Sequence, residues 1–113
     1  MELVTRQEHD GSVRIICSGE LDYASADRFL RAVSELDASQ VVIDFAAVEF
    51  VDSTGVAALC RAIEHVQGRQ GGIKVVNIHE GIYEILTLVG CVEAFGPDTF
   101  TLAKQGEGRV PDA

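Results

Sequence analysis

Apolar and polar residues alternate with two different periods along this chain, and each period predicts one kind of element. Short apolar runs rich in β-branched residues and bounded by turn residues are typical of strands. Asp10 and Gly11 favour a hairpin turn between the first two such runs. The four predicted strands are Leu3–Gln7, Val13–Cys17, Val41–Phe45 and Ile73–Ile78.

Apolar residues recur at helical spacing in three other segments. The first predicts a helix from about Ala24 to Asp37, for which Asp22 and Ser25 are candidate N-caps. The second predicts a helix from Ser53 to about Gln67. The third helix is expected to end before Gly90, a residue suited to a left-handed cap. Its apolar face consists of Ile82, Ile85, Leu86 and Val89.

The end of the chain has weaker patterns. Val92–Phe95 predicts a short last strand, Thr99–Gln105 predicts one or two helical turns, and Gly106–Ala113 predicts a disordered tail. The element order is then β-β-α-β-α-β-α-β with a short terminal helix. Strands that alternate with helices after an initial hairpin predict a single α/β domain, a mixed sheet with packed helices.

Composition and charge narrow the class of protein. The chain has 113 residues, of which 47% are hydrophobic, enough for one domain with a substantial core. Its formal net charge of −9 disfavours direct binding of nucleic acid or of an anionic membrane surface. The sequence has no apolar run long enough to insert in a membrane and no signal-peptide pattern, so we expect a cytoplasmic protein.

The three cysteines are Cys17, Cys60 and Cys91, and none forms a Cys-x-x-Cys pair. Cys17 lies in a predicted strand and Cys60 on the apolar stripe of a predicted helix, which favours reduced, buried thiols. Cys91 lies in a glycine-flanked turn, where a redox role remains an alternative.

Motifs of catalysis and of cofactor binding are missing from the sequence. None of His9, His65 and His79 is placed as a base for Ser53, and there is no Gly-x-Ser-x-Gly elbow. Metal-site and nucleotide-loop motifs are absent as well. We therefore expect a protein that is not an enzyme, with no catalytic residue, no metal and no cofactor of its own.

The most informative stretch is Val48–Gly55, in which an apolar strand leads into the predicted helix that begins at Ser53. A hydroxyl at this point should be exposed, and backbone N–H groups without a helical partner should lie next to it. Two interpretations remain open. Ser53 is a phosphate acceptor, or Ser53 and Thr54 simply cap the helix.

Two motifs give the chain a family resemblance. They are Gly-Glu-Leu-Asp at Gly19–Asp22 and Phe-Val-Asp-Ser-Thr-Gly at Phe50–Gly55, about thirty residues later. Leu86–Gly90 is a weaker match. With these motifs in this order, the chain resembles a STAS domain, in particular a bacterial anti-sigma factor antagonist (anti-anti-sigma factor). The resemblance covers Leu3 to about Gln105, which gives a domain over residues 3–105 and a tail over 106–113.

The resemblance implies a partner switch. In that family the unphosphorylated antagonist binds an anti-sigma factor with a GHKL-type serine kinase site, and the sigma factor is released. Phosphorylation of the serine that matches Ser53 ends this binding, and a PP2C-type phosphatase restores it. Asp22, Asp52, Ser53, Thr54 and Gly55 match positions of the docking surface. For Gly55, we also expect that the missing Cβ lets the backbone of the kinase approach closely.

One departure and one alternative accompany the resemblance. Many members have Gly-Leu-Gly after the serine pair, whereas this chain has Gly55-Val56-Ala57, and Ala57 is expected to affect partner choice. The alternative function is a constitutive STAS scaffold, or a transporter-associated subunit, not regulated by phosphorylation. Transporter-associated domains often replace the acceptor serine, so Ser53 favours the switch.

Overall fold

In the part of the chain that the structure describes, five strands lie side by side in the order in which they occur in the sequence. The structure is a computed structural model that describes residues 1–104. The first hairpin is antiparallel, as predicted, and the other neighbouring strands are parallel. The strands are β1 (Glu2–Gln7), β2 (Val13–Leu21), β3 (Gln40–Val51), β4 (Gly72–Ile78) and β5 (Phe100–Leu102).

The helices connect the parallel strands and cover one face of the sheet. In the described part of the chain they are α1 (Ala26–Ser34), α2 (Ser53–Gly68), α3 (Glu80–Leu88) and α4 (Cys91–Phe95), followed by a 3-10 turn (Pro97–Thr99). The predicted α/β class and mixed sheet are therefore confirmed. None of these helices is long and apolar enough to cross a membrane.

The core lies between the sheet and the two helices that pack together, α1 and α2. Along β3 the side chains of Val41, Ile43 and Phe45 are buried, whereas Val42 and Asp44 between them are only half-buried. This alternation places one face of the sheet against the helices and leaves the other face partly open to solvent. Phe29 of α1 is fully buried on the helical side.

The two central strands are longer than predicted. Gly19–Leu21 and Val48–Val51, which the sequence placed beyond the strands, pair with each other as continuations of β2 and β3. The register shifts between Ile16 and Ser18 and again between Gly19 and Glu20. Leu21, the last residue of β2, pairs with Val51, the last residue of β3. The residues that follow these two strands therefore lie side by side at one edge of the domain.

Three predictions about secondary structure are wrong in detail. Helix α1 is shorter than 24–37: a hydrogen-bonded turn from Asp22 to Ser25 precedes it, and it ends at Ser34. Val92–Phe95 belongs to helix α4 and not to a strand. Helical turns over 99–105 are not formed, because Phe100–Leu102 pairs with β4 as strand β5. Gln105 and the predicted tail over 106–113 lie outside the described residues.

Candidate functional site

Ser53 is the first residue of α2, and a single residue, Asp52, separates it from the end of β3. Its side chain is exposed and makes no hydrogen bond within residues 1–104. The prediction that this serine opens a helix at the end of an apolar strand is confirmed. Its hydroxyl is therefore available to another molecule.

Asp52 caps α2 and connects it to the loop before α1. Its Oδ1 accepts a hydrogen bond of 2.8 Å from the amide of Gly55, and its Oδ2 accepts one of 3.0 Å from the amide of Tyr23. Its own amide donates to the carbonyl of Leu21 at 3.2 Å. The helix cap is thus Asp52 and neither Ser53 nor Thr54, so the capping alternative for those two residues is wrong.

The first turn of α2 leaves two backbone donors free. The amides of Ser53 and Thr54 make no hydrogen bond to any of the described residues, while the Gly55 amide is taken by Asp52. The N-terminus of a helix also carries a partial positive charge, here from a helix of 16 residues. A negative group attached to Ser53 would meet these free donors and this charge.

Asp22 organises the turn that lies beside Asp52. Its Oδ1 accepts hydrogen bonds from the amides of Ala24 (3.1 Å) and Ser25 (3.2 Å) and from the Ser25 hydroxyl (3.1 Å). Ser25 also donates to the carbonyl of Glu20 at 2.8 Å. Ser25 is the first residue before α1, but its side chain caps no amide of that helix. Asp22 therefore fixes the shape of the Asp22–Ser25 turn.

Gly55 is buried against the end of β2. A Cβ at this position would lie 2.8 Å from the carbonyl carbon of Leu21, closer than real side chains come to backbone. The structure therefore gives an internal reason for glycine here, whether or not a partner also approaches this residue closely.

Two aromatic side chains near Ser53 were missed in the sequence analysis. Tyr23 is 82% exposed and Phe50 is 50% exposed. Phe50 lies inside the second motif and Tyr23 directly follows the first. Their place in the sequence could therefore have indicated that they lie near Ser53. Large exposed aromatic residues are common in protein interfaces, so they extend the candidate surface around Ser53.

Two clefts border Ser53, and Ala57 lines both of them. The first, of about 290 Å³, lies between α1 and α2 and includes Asp27 and Arg61. The second, of about 380 Å³, lies between α2 and α4 and is mostly apolar. Ala57 is exposed one turn after Ser53, so its side chain shapes the surface there.

The cysteines depart in part from the prediction. Cys17 is fully buried, as predicted, and burial together with the nearby charge of Asp44 raises the pKa of its thiol to about 12. Cys60 is only half-buried, so the predicted burial of this thiol is wrong. Cys91 begins α4 and is buried, instead of lying in an open turn. Within residues 1–104, no group of three or more potential ligands is arranged to hold a metal ion.

Comparison with known proteins gives the family of this chain. A model of the STAS domain matches residues 4–104, which is most of the chain. The chain belongs to the STAS domain family. The family predicted from the two motifs is therefore confirmed, and both motifs lie inside the matched region.

Solved structures similar to this STAS domain come from proteins of more than one kind. An anti-sigma factor antagonist from Mycobacterium paratuberculosis is 25% identical, with a TM-score of 0.75 over 92% of this chain and 86% of that one. The phosphorylated form of SpoIIAA, a Bacillus cell fate determinant, is 16% identical, with a TM-score of 0.68 over 92% and 93% of the two chains. A sulfate transporter family protein from Wolinella succinogenes is 20% identical, with a TM-score of 0.73 over 80% of this chain and 76% of that one.

The SpoIIAA and Wolinella structures share too little sequence with this STAS domain to support more than the fold. No curated protein matches the sequence significantly.

Proposed function

We propose that this STAS domain is an anti-sigma factor antagonist that is switched by phosphorylation of Ser53. In its unphosphorylated form it binds an anti-sigma factor with GHKL-type serine kinase activity in the cytoplasm, and a sigma factor is released. The kinase then phosphorylates Ser53 and the complex dissociates. A PP2C-type phosphatase removes the phosphate and restores binding.

The observation that carries this proposal is the state of the Ser53 hydroxyl. It is exposed and makes no hydrogen bond within the described residues. A serine that served only to cap α2 would accept a hydrogen bond from a helix amide, and Asp52 performs that task instead. Ser53 is therefore free for a reaction without loss of structure.

Phosphorylation at this position would change the surface and not the fold. The phosphate adds about −1.5 to −2 charges at neutral pH, next to the carboxylate of Asp52. The free amides of Ser53 and Thr54 can donate hydrogen bonds to the phosphate oxygens. A partner fitted to a neutral hydroxyl would instead meet a bulky dianion, and such mismatches cost several kcal/mol of binding free energy.

The comparisons support this proposal. The relative from Mycobacterium paratuberculosis is named an anti-sigma factor antagonist and reaches 25% identity over most of both chains. SpoIIAA, also named an anti-sigma factor antagonist, has been solved both without and with phosphate. The second of these forms has the same fold as this chain, which agrees with a phosphate that leaves the fold intact.

The test begins with a pull-down from a lysate of the source organism, using wild type, Ser53→Ala and Ser53→Asp as baits. An ATP-binding protein held by the Ala variant and lost from the Asp variant is then purified and incubated with wild-type protein and ATP. Mass spectrometry should find phosphate on Ser53 and none on the Ser53→Ala variant.

Thr54→Ala is the matched control, because Thr54 is the neighbouring exposed hydroxyl on the same helix turn. This variant keeps the acceptor hydroxyl and should still carry phosphate on Ser53. Phosphate on Thr54 would contradict the assignment of the acceptor. Equal recovery of transport or scaffold subunits on all three baits would favour a constitutive module instead.

A further inference from the structure

Two thiols from different helices face each other in the cleft between α2 and α4. The Sγ atoms of Cys60 and Cys91 are 3.2 Å apart, although the residues are 31 positions apart in the chain. A disulfide bond joins sulfurs at about 2.05 Å, so closing this pair needs a movement of roughly 1 Å. Both residues line the same cleft as Ser53.

The two thiols differ in access to solvent. Cys60 is half-buried, whereas Cys91 is only 3% exposed. Burial and the hydrogen bond with Cys60 raise the pKa of the Cys91 thiol to about 12. A dissolved reagent therefore meets Cys60 first, and Cys91 lies behind it in position to complete the reaction.

We propose that Cys60 and Cys91 form a reversible disulfide in response to a small-molecule disulfide such as oxidised glutathione. The Cys60 thiolate attacks one sulfur of the reagent, forms a mixed disulfide and releases one reduced thiol. The Cys91 thiol then loses its proton and attacks the Cys60 sulfur, which forms the internal disulfide and releases the second thiol. Two protons leave the protein, its two thiols are oxidised, and the reagent is reduced.

This bond would change the surface next to Ser53. Cys60 lies seven residues after Ser53 on α2, about 10 Å along the helix axis and on the same face. Cys91 is the first residue of the short helix α4, which has five residues. A covalent link would hold α4 against α2 and narrow the cleft beside Ser53. In a reducing compartment the bond would be transient, as disulfides of intracellular redox sensors are.

The test needs no partner protein and does not depend on phosphorylation of Ser53. The full chain is equilibrated with mixtures of reduced and oxidised glutathione, quenched with acid, unfolded and alkylated. Mass spectrometry should find an internal link between Cys60 and Cys91 in single chains, with Cys17 free. Dithiothreitol should reverse the link. The oxidised form should melt about 5–15 °C higher, and amide exchange should slow across residues 91–96.

The variants separate this pair from a general reactivity of thiols. Cys91→Ser should retain a glutathione adduct on Cys60, since no second thiol can displace it. Cys17→Ala should form the internal link as wild type does. The proposal is overturned if wild type keeps both thiols alkylatable at every ratio, if it accumulates the Cys60 adduct, or if its disulfides join two chains.

Discussion

The Oδ2 atom of Asp52 accepts a hydrogen bond of 3.0 Å from the backbone amide of Tyr23, 29 residues away in the chain. The other oxygen of the same carboxylate caps α2 through Gly55. One side chain thus joins the turn before α1 to the first turn of α2. The relative position of the two sequence motifs depends on this carboxylate.

Asp52→Ala should lower the free energy of unfolding by about 1–2 kcal/mol, because the variant loses the helix cap and the link to Tyr23. The stability of Asp52→Asn should lie between those of wild type and Asp52→Ala. The asparagine oxygen can accept one of the two hydrogen bonds, but its NH2 group cannot accept the other. Urea unfolding followed by circular dichroism measures both changes. Asp37→Ala removes an exposed carboxylate elsewhere and should change stability by less than about 0.5 kcal/mol. Equal stabilities of Asp52→Ala and wild type would contradict the double role of Asp52.

Gly55→Ala should destabilise the domain by about 2–3 kcal/mol, since the new methyl group would overlap the carbonyl of Leu21. Alanine is the better helix former, so propensity alone predicts the opposite sign. Gly81→Ala on α3 is the matched control, because a Cβ there meets nothing within 4 Å. That variant should gain about 0.5–1 kcal/mol. A Gly55→Ala protein as stable as wild type would show that α2 can move away from β2.

The acid stability of the domain should depend on Asp44, on the sheet face away from α1 and α2. Burial alone would raise the pKa of this carboxyl, but hydrogen bonds from the Ala46 amide, Asn77 and Arg14 outweigh it and lower the pKa. The Arg14 contact is 2.7 Å. Because the folded pKa lies below the unfolded one, the stabilisation is complete above the unfolded value and is lost as the pH falls through the folded value.

Asp44→Asn should therefore cost about 2 kcal/mol at pH 7. The difference between variant and wild type should begin to shrink as the pH falls through the unfolded pKa of about 3.8, and it should shrink further as the pH falls through the lower folded pKa. Urea midpoints measured from pH 7 to pH 3 test this prediction. A difference that stays constant over this range would mean that the charge of Asp44 contributes nothing.

Ser53→Asp should leave stability within about 0.5 kcal/mol of wild type at moderate salt. The new carboxylate is favoured by the N-terminus of α2 and disfavoured by the neighbouring charge of Asp52, and both effects are small at an exposed position. Thermal melts at low and high salt measure the net result of the attraction to the α2 N-terminus and the repulsion from Asp52. A loss of more than about 2 kcal/mol would mean that a negative charge at Ser53 acts by unfolding α2.

The central elements could be predicted from the sequence because their patterns are local. The apolar runs of β2, β3 and β4 and the helical spacing of α2 have no competing interpretation. Gly90 also adopts the predicted left-handed conformation, with φ of 86°. The position of Ser53 at a helix start followed from these elements alone.

The errors lie where distant contacts decide the outcome. Phe100–Leu102 forms a strand because it pairs with Val75 and Ile78 at the edge of β4. No local sequence pattern predicts this pairing. Val92–Phe95 is too short for its period to distinguish helix from strand.

In the candidate site, too, the features that could not be predicted depend on contacts between residues distant in the chain. The need for glycine at Gly55 comes from Leu21, and the proximity of Cys60 and Cys91 comes from the packing of α4 on α2. Neither relationship is visible from spacing in the chain.

The link between Asp52 and Tyr23 has a thermodynamic consequence for recognition. Because the turn at Asp22–Ser25 and the start of α2 are already held together by hydrogen bonds, this part of the surface has little conformational entropy left to lose when another molecule docks. Association with a surface ordered in advance resembles the docking of two rigid bodies, and small changes in its shape or charge then appear mainly as changes in the lifetime of the complex.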